Sequence, residues 1–204
     1  MRKAVKFGGS SLADAKQFSK CAAIIKSDDA RRYVVPSAPG KRFKDDVKIT
    51  DMLIQCYDIQ KKDLDEGLAY FSTIEDRFDE IIRDLGLDYS LEPEYRLIRS
   101  YMEEGLSRDY LVSRGEFLSG KILAKLLDYP FVDPADSIIV NSNGIFEEQK
   151  TAVAFRKISE MEAFVMPGFY GATDTGRVKT FSRGGSDITG SVVANGMHVD
   201  VYEN

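Results

Sequence analysis

The first 36 residues constrain the topology more than any other stretch of the chain. Ala4 to Phe7 is a short apolar run that reads as a buried strand, and Gly8-Gly9 interrupts it. Leu12, Ala15, Phe18, Ala22 and Ile25 then recur at three- and four-residue spacing, which places them on one face of a helix. Ser11-Leu12-Ala13-Asp14 fits a capping box with Ser11 at the N-cap and Asp14 reaching back, and Ser27-Asp28-Asp29 ends the pattern. Tyr33 to Pro36 is the second strand. Strand, glycine turn, helix and strand in so short a span form a βαβ unit, a parallel pair joined by a right-handed crossover.

The rest of the chain extends that beginning. Pro39 to Asp46 has no hydrophobic period and is rich in charge, so it is expected to be an exposed, mobile loop. Thr50 is expected at an N-cap ahead of Met52, Leu53, Cys56 and Ile59. Amphipathic patterns predict helices over 64–85, with Gly86 as the stop, over 92–104 and over 110–127. Strands are expected at 131–132, 137–140, 163–166 and 199–202, with a turn at 174–177 between short strands. A helix is expected over 189–195 with Gly196 just past its end. No repeat or linker divides the 204 residues, and 43% hydrophobic content supplies one core.

Composition narrows the function classes. A net charge of -5 with interspersed signs argues against a nucleic-acid partner. Cys21, Cys56 and the lone His198 have neither disulfide-scaffold nor zinc-site spacing, so both cysteines read as small buried hydrophobes, His198 as structural and the metal-ligand set as none. No apolar run reaches membrane-spanning length and no signal peptide opens the chain, which together predict a cytoplasmic protein without a membrane partner.

Two loops carry chemistry. Phe181-Ser182-Arg183-Gly184-Gly185-Ser186-Asp187 packs a guanidinium, two glycines, a hydroxyl and a carboxylate ahead of a helix, the makeup of an anion site. The alternative is a structural Arg-Asp pair in a turn. At the first loop, Lys6 beside Gly8-Gly9-Ser10 either stabilises a transferring phosphoryl group or is a surface lysine at a tight turn. The loop is neither a Walker A sequence nor a dinucleotide fingerprint. Glu116, in Ser113-Arg114-Gly115-Glu116, lies within an apolar pattern. A buried carboxylate there needs a partner, either a substrate ammonium or an intramolecular cation, unless the residue is simply exposed. Pro167-Gly168-Phe169-Tyr170-Gly171 is a rigid turn, either bordering a pocket or purely structural.

In this order, Lys6 to Ser11, Ser113 to Glu116, Pro167 to Phe169, and Arg177 with Phe181 to Asp187 resemble the motifs of aspartokinases, in the amino acid kinase family. Val35 to Pro39 with Ile49 to Asp51 resembles that family's second substrate segment, here with a longer charged insertion between Ala38 and Thr50. The resemblance spans nearly the whole chain. It implies an α/β fold, a three-layer αβα sandwich of the carbamate-kinase-like type with a mostly parallel sheet. The implied activity is phosphorylation of the β-carboxylate of L-aspartate by ATP with Mg2+ held mainly through the nucleotide phosphates, the entry to lysine, threonine and methionine synthesis. Lys6 would stabilise the phosphoryl group, Gly8, Gly9 and Ser10 would line its oxygens, and Asp187 would orient Lys6. Arg183 would hold an aspartate carboxylate and Glu116 its ammonium, with Ser37, Thr50, Gly184, Gly185 and Ser186 around them. The full-length enzyme would be a homo-oligomer.

In the family a nucleotide-binding segment and regulatory ACT domains follow the point where this sequence stops, at Asn204. Residues 1–204 are therefore expected to be the N-terminal, aspartate-binding part of the kinase domain, incomplete at its C-terminal end, without an ACT domain and inactive alone. The rivals are a glutamate or acetylglutamate kinase of the same family and a non-catalytic amino-acid-binding fragment.

Overall fold

A computed structural model describes residues 1–181 and 184–204. Strand β1 (Lys3–Phe7) lies between β2 (Arg31–Pro36) and β6 (Val201–Glu203), and β3 (Phe164–Val165) flanks β2. All three ladders are parallel. The alternation of side chains along the strands divides the core in two. Val5, Val34 and Val165 face α1 (Ala15–Lys26), α2 (Ile49–Gln60), α3 (Leu64–Asp84), α4 (Glu92–Glu104) and α5 (Arg108–Leu127). Ala4, Tyr33, Val35 and Phe164 face α6 (Glu148–Phe155) and α7 (Gly185–Gly196). The expected three-layer α/β arrangement with a parallel sheet is therefore present. A separate antiparallel hairpin, β4 (Tyr170–Ala172) and β5 (Val178–Thr180), closes around the turn foreseen at 174–177.

Several local expectations are corrected. Gly9–Leu12 forms a 3-10 turn, and Asp14, not Ser11, caps α1 by accepting from the Gln17 amide at 2.9 Å. Thr50 is not an N-cap; α2 starts at Ile49 after Lys48, which places Thr50 in its first turn. The stretches at 131–132 and 137–140 form single bridges, Phe131 with Val165, Ile139 with Ala172 and Val140 with Phe146. Helix α6 was not foreseen, because only Thr151 and Phe155 of its eight residues are buried, too few to set a period. Helix α7 starts at Gly185 and includes Gly196, which the sequence had placed outside it.

The charged segment after Pro39 is the largest correction. Lys41 to Asp45 are exposed as expected, but Gly40 and Asp46 are buried. Arg42 donates to Asp46 through its amide and its Nε, each at 2.9 Å, and Arg77 of α3 lies 3.1 Å from the same carboxylate. The Arg42 hydrogen bond holds the Asp46 carboxyl well below the usual carboxylate range. Charge here organises the loop.

The chain runs from β1 outward to β2 and β3, then returns to place β6 on the other side of β1. That reversal makes a switch point at β1, and the carboxyl ends of parallel strands at such a point form a crevice where ligands are bound. The loops after β1, β2 and β3 all leave from that edge.

Candidate active site

Lys6 stands near the end of β1, and Asp187 in the first turn of α7. Their Nζ and Oδ1 atoms are 2.7 Å apart; the lysine side chain is 13% exposed and the carboxylate 50%. Lys6 therefore points over the Gly8 loop instead of ranging free in solvent, contrary to the surface-lysine alternative. Gly184 caps α7 with φ +80°, and Asn204 Nδ2 reaches Asp187 Oδ1 at 3.4 Å.

The Gly8-Gly9 loop and the segment after β2 meet backbone to backbone. Gly40 N–H donates to Gly9 C=O at 2.7 Å, and a Cβ at position 9 would stand 2.8 Å from the Ala38 carbonyl oxygen. Only glycine permits that approach. From the third side, α5 lies so close that a Cβ on Gly115 would come within 2.9 Å of the Ala38 Cβ and 3.1 Å of Ile49 and Leu53. This packing brings Glu116 to the same place.

A cleft of about 410 Å³ opens where the three segments meet. Gly9, Ser10, Ser37, Thr50 and Glu116 line it, with Pro39, Gly40, Lys41 and Lys48. Five of the residues singled out in the sequence thus share one cavity, with the Lys6–Asp187 pair beside its Gly8-Gly9 rim. Lys41 and Lys48 were missed. The only signal for them was their place next to Thr50 in a charged loop, and neither lies on a periodic face.

Glu116 is 5% exposed, and its Oε2 has no hydrogen-bond partner. Burial pushes its carboxyl up to about 8, against smaller pulls from the Ala38 amide, its own amide and the Arg114 charge. Arg114 is not its ion-pair partner. That guanidinium lies 4.4 Å from the ring centres of both Tyr110 and Phe117 and 5.2 Å from Tyr170, and it donates to Ser113 Oγ at 2.9 Å. Among the described residues no salt bridge reaches Glu116, and its burial sets aside the exposed glutamate.

Other expected residues take structural places near the cleft. Ser186 packs on Gly168, where a Cβ would lie 2.5 Å from the serine Oγ, and Gly185 is buried under Phe169 and Phe181. The Phe169 backbone, at φ +81°, donates to Thr189 Oγ1 at 3.1 Å and accepts from the Phe181 amide at 2.7 Å. The Pro167–Phe169 turn thus locks the start of α7. Arg183, with Ser182, lies outside the described residues. The two cysteines are buried thiols, pushed up by burial to about 11 for Cys21 and about 12 for Cys56. Among the described residues no group of three or more His, Cys, Asp or Glu could hold a metal ion, and no helix is long and apolar enough to cross a membrane.

Such a cavity suits a small molecule carrying both charges: one wall offers a buried carboxyl with no salt-bridge partner among the described residues, the other lysines and hydroxyls. The profile of the amino acid kinase family matches residues 1–204 in full. The chain belongs to this family. Among similar family members is Aspartokinase 3 of Bacillus subtilis, 35% identical over 219 residues that cover 99% of this chain and 48% of that protein. The crystal structure of aspartate kinase from Clostridium acetobutylicum superposes with a TM-score of 0.92 at 44% identity, covering 99% of this chain and 47% of that one. Escherichia coli aspartokinase III, in complex with lysine and aspartate, shares the fold at a TM-score of 0.84 and 24% identity, over 98% and 48% of the two chains. The chain spans about half the length of the curated relatives it matches.

Proposed function

We propose that this amino acid kinase is an aspartokinase and that residues 1–204 supply its acceptor side, where L-aspartate is phosphorylated on its β-carboxylate by ATP. The observation that carries the reading is Glu116, a buried carboxyl whose Oε2 has no partner among the described residues, in the lining of a cleft that also holds Ser37, Thr50 and two lysines. A buried anion of this kind is costly unless a cation meets it, and the α-ammonium of a free amino acid is such a cation. An N-acylated amino acid would bring a neutral amide there, which disfavours acetylglutamate. The relatives at 35% and 44% identity, both aspartokinases by name, support aspartate over glutamate.

The chemistry asks little of the protein beyond alignment and charge. The aspartate side chain is ionised at neutral pH, so no general base is needed. Its oxygen attacks the γ-phosphorus in line, the bond from phosphorus to the β,γ-bridging oxygen breaks, and ADP departs with the electron pair. Lys6 neutralises charge on the transferring group, Gly8, Gly9 and Ser10 let it approach the backbone, and Asp187 holds Lys6 in place. Arg183 completes the acceptor site by gripping a carboxylate, with Gly184 to Ser186 shaping its turn. Mg2+, brought by the nucleotide phosphates, would supply charge neutralisation there.

The test is ATP-dependent formation of acyl phosphate, trapped as the hydroxamate, by the gene product that carries these residues. L-aspartate is expected to support turnover, with L-glutamate and N-acetylglutamate at background. Turnover with either of the latter alone would overturn the assignment.

A further inference from the structure

Arg77 is a charged residue in the middle of α3, 4% exposed, and it does not line the cleft. Its two terminal nitrogens reach across to the segment that follows β2. One donates to the carbonyl of Val47, the other to the carbonyl of Gly40 and to the Asp46 carboxylate. The guanidinium therefore ties together both ends of the eight residues from 40 to 47, which contain neither helix nor strand. Arg42, itself bound to Asp46, adds a second tie to α3 through Glu80 at 3.0 Å.

The tied points are the cleft wall itself. Gly40 and Lys41 stand at one end of the segment and Lys48 and Thr50 just past the other, and all four line the cavity. Gly40 N–H also donates to Gly9 C=O, and Ile49 N–H donates to Pro39 C=O at 3.1 Å, so a shift of the segment would move the glycine loop and the start of α2 together. The terminal donors of this buried guanidinium are met in fixed directions, only Nε lacking a partner among the described residues, and a lysine cannot serve two carbonyls and a carboxylate with the same planar fork.

We propose that Arg77, through Gly40, Val47 and Asp46, is a positioning residue that sets the lysine- and threonine-bearing wall of the acceptor cleft. The inference rests on the aspartokinase reading for the identity of the ligand, and on the contacts of Arg77 alone for the anchoring. In limited trypsin digestion read by mass spectrometry, Arg77→Lys is expected to be cut at Lys41, Arg42 and Lys44 about tenfold faster than the wild type, with cleavage outside residues 40–48 unchanged. Its calorimetric dissociation constant for L-aspartate is expected to rise by about tenfold. Wild-type cleavage at those three sites, or equal acceleration at every site in the chain, would overturn the proposal, since the second marks a general loss of stability.

If Arg77→Lys does not fold, Asp46→Asn decides. It keeps both carbonyl bonds and loses the charge that pairs with Arg77 and Arg42, so a smaller acceleration at Lys41, Arg42 and Lys44 is expected, and the wild-type rate would count against the proposal. Should wild-type protein bind no aspartate, the ligand assignment fails, and the cleavage rates alone judge Arg77.

Discussion

Lys6 Nζ and Asp187 Oδ1 lie 2.7 Å apart, joining the end of the central strand to the first turn of α7. The pair fixes a cation at the carboxyl edge of a parallel sheet, beside two glycines. If that cation meets charge that grows only in the transition state, Lys6→Ala should lower kcat by about a hundredfold or more while the affinity for aspartate changes little. Asp187→Asn should cost less, because the lysine remains but loses its anchor. Steady-state kinetics on both variants checks this, and an unchanged kcat in Lys6→Ala would remove the phosphoryl role.

Glu116 makes stability depend on pH. Its carboxyl is pushed up to about 8 in the folded protein, chiefly by burial, whereas the unfolded chain titrates near the ordinary 4.5. Between those values the folded state binds more protons than the unfolded one, so ligand-free protein loses stability as pH rises. The contribution of this group is about 1.4 kcal/mol per pH unit across the window and levels off above it. Arg114, the charged neighbour acting on it, opposes the loss only weakly. Glu116→Gln should flatten the profile. Urea unfolding of wild type and variant at pH 6 and pH 8 measures the difference, and parallel profiles would show that Glu116 is ionised throughout.

Gly115 tests how closely α5 must approach the cleft. Alanine inside a helix gains about 1 kcal/mol over glycine, while forcing a methyl into packed neighbours costs about 1–3 kcal/mol. Here the methyl would meet Ala38 at 2.9 Å and two further side chains at 3.1 Å, so the cost wins. Gly115→Ala should be less stable by about 1 kcal/mol and should bind aspartate more weakly. A more stable variant with normal affinity would mean that the helix can give way without disturbing Glu116.

The sequence was most legible where period and contact are local. The βαβ opening, α3 to α5 and the 174–177 turn follow from hydrophobic spacing and glycine placement, and the parallel order follows from the crossover. Glu116 was recognisable as a carboxylate in an apolar run. That α5 packs against Ala38 and α2, distant in sequence, and that Oε2 has no partner among the described residues could not be read from spacing. The segment from 39 to 46 was misjudged for a related reason. Lys41 to Asp45 are solvent-exposed as their charges suggest, but Asp46 is buried because Arg77, thirty residues downstream of Val47, lies beneath it. The α1 cap moved from Ser11 to Asp14 because the Gly9–Leu12 stretch tightened into a 3-10 turn to meet Gly40, a tertiary demand that overrode the local signal.

The central claim is that this cleft holds aspartate with its ammonium on Glu116. Calorimetric titration of the chain with L-aspartate at pH 7, in two buffers of different ionisation heat, tests it most directly. Glu116 is mostly protonated in the free protein and must ionise opposite the ammonium. The wild type should therefore bind one aspartate and release most of one proton, and Glu116→Gln should bind about tenfold more weakly or worse and release none. Equal affinity in the two proteins, or wild-type binding without proton release, would contradict the account.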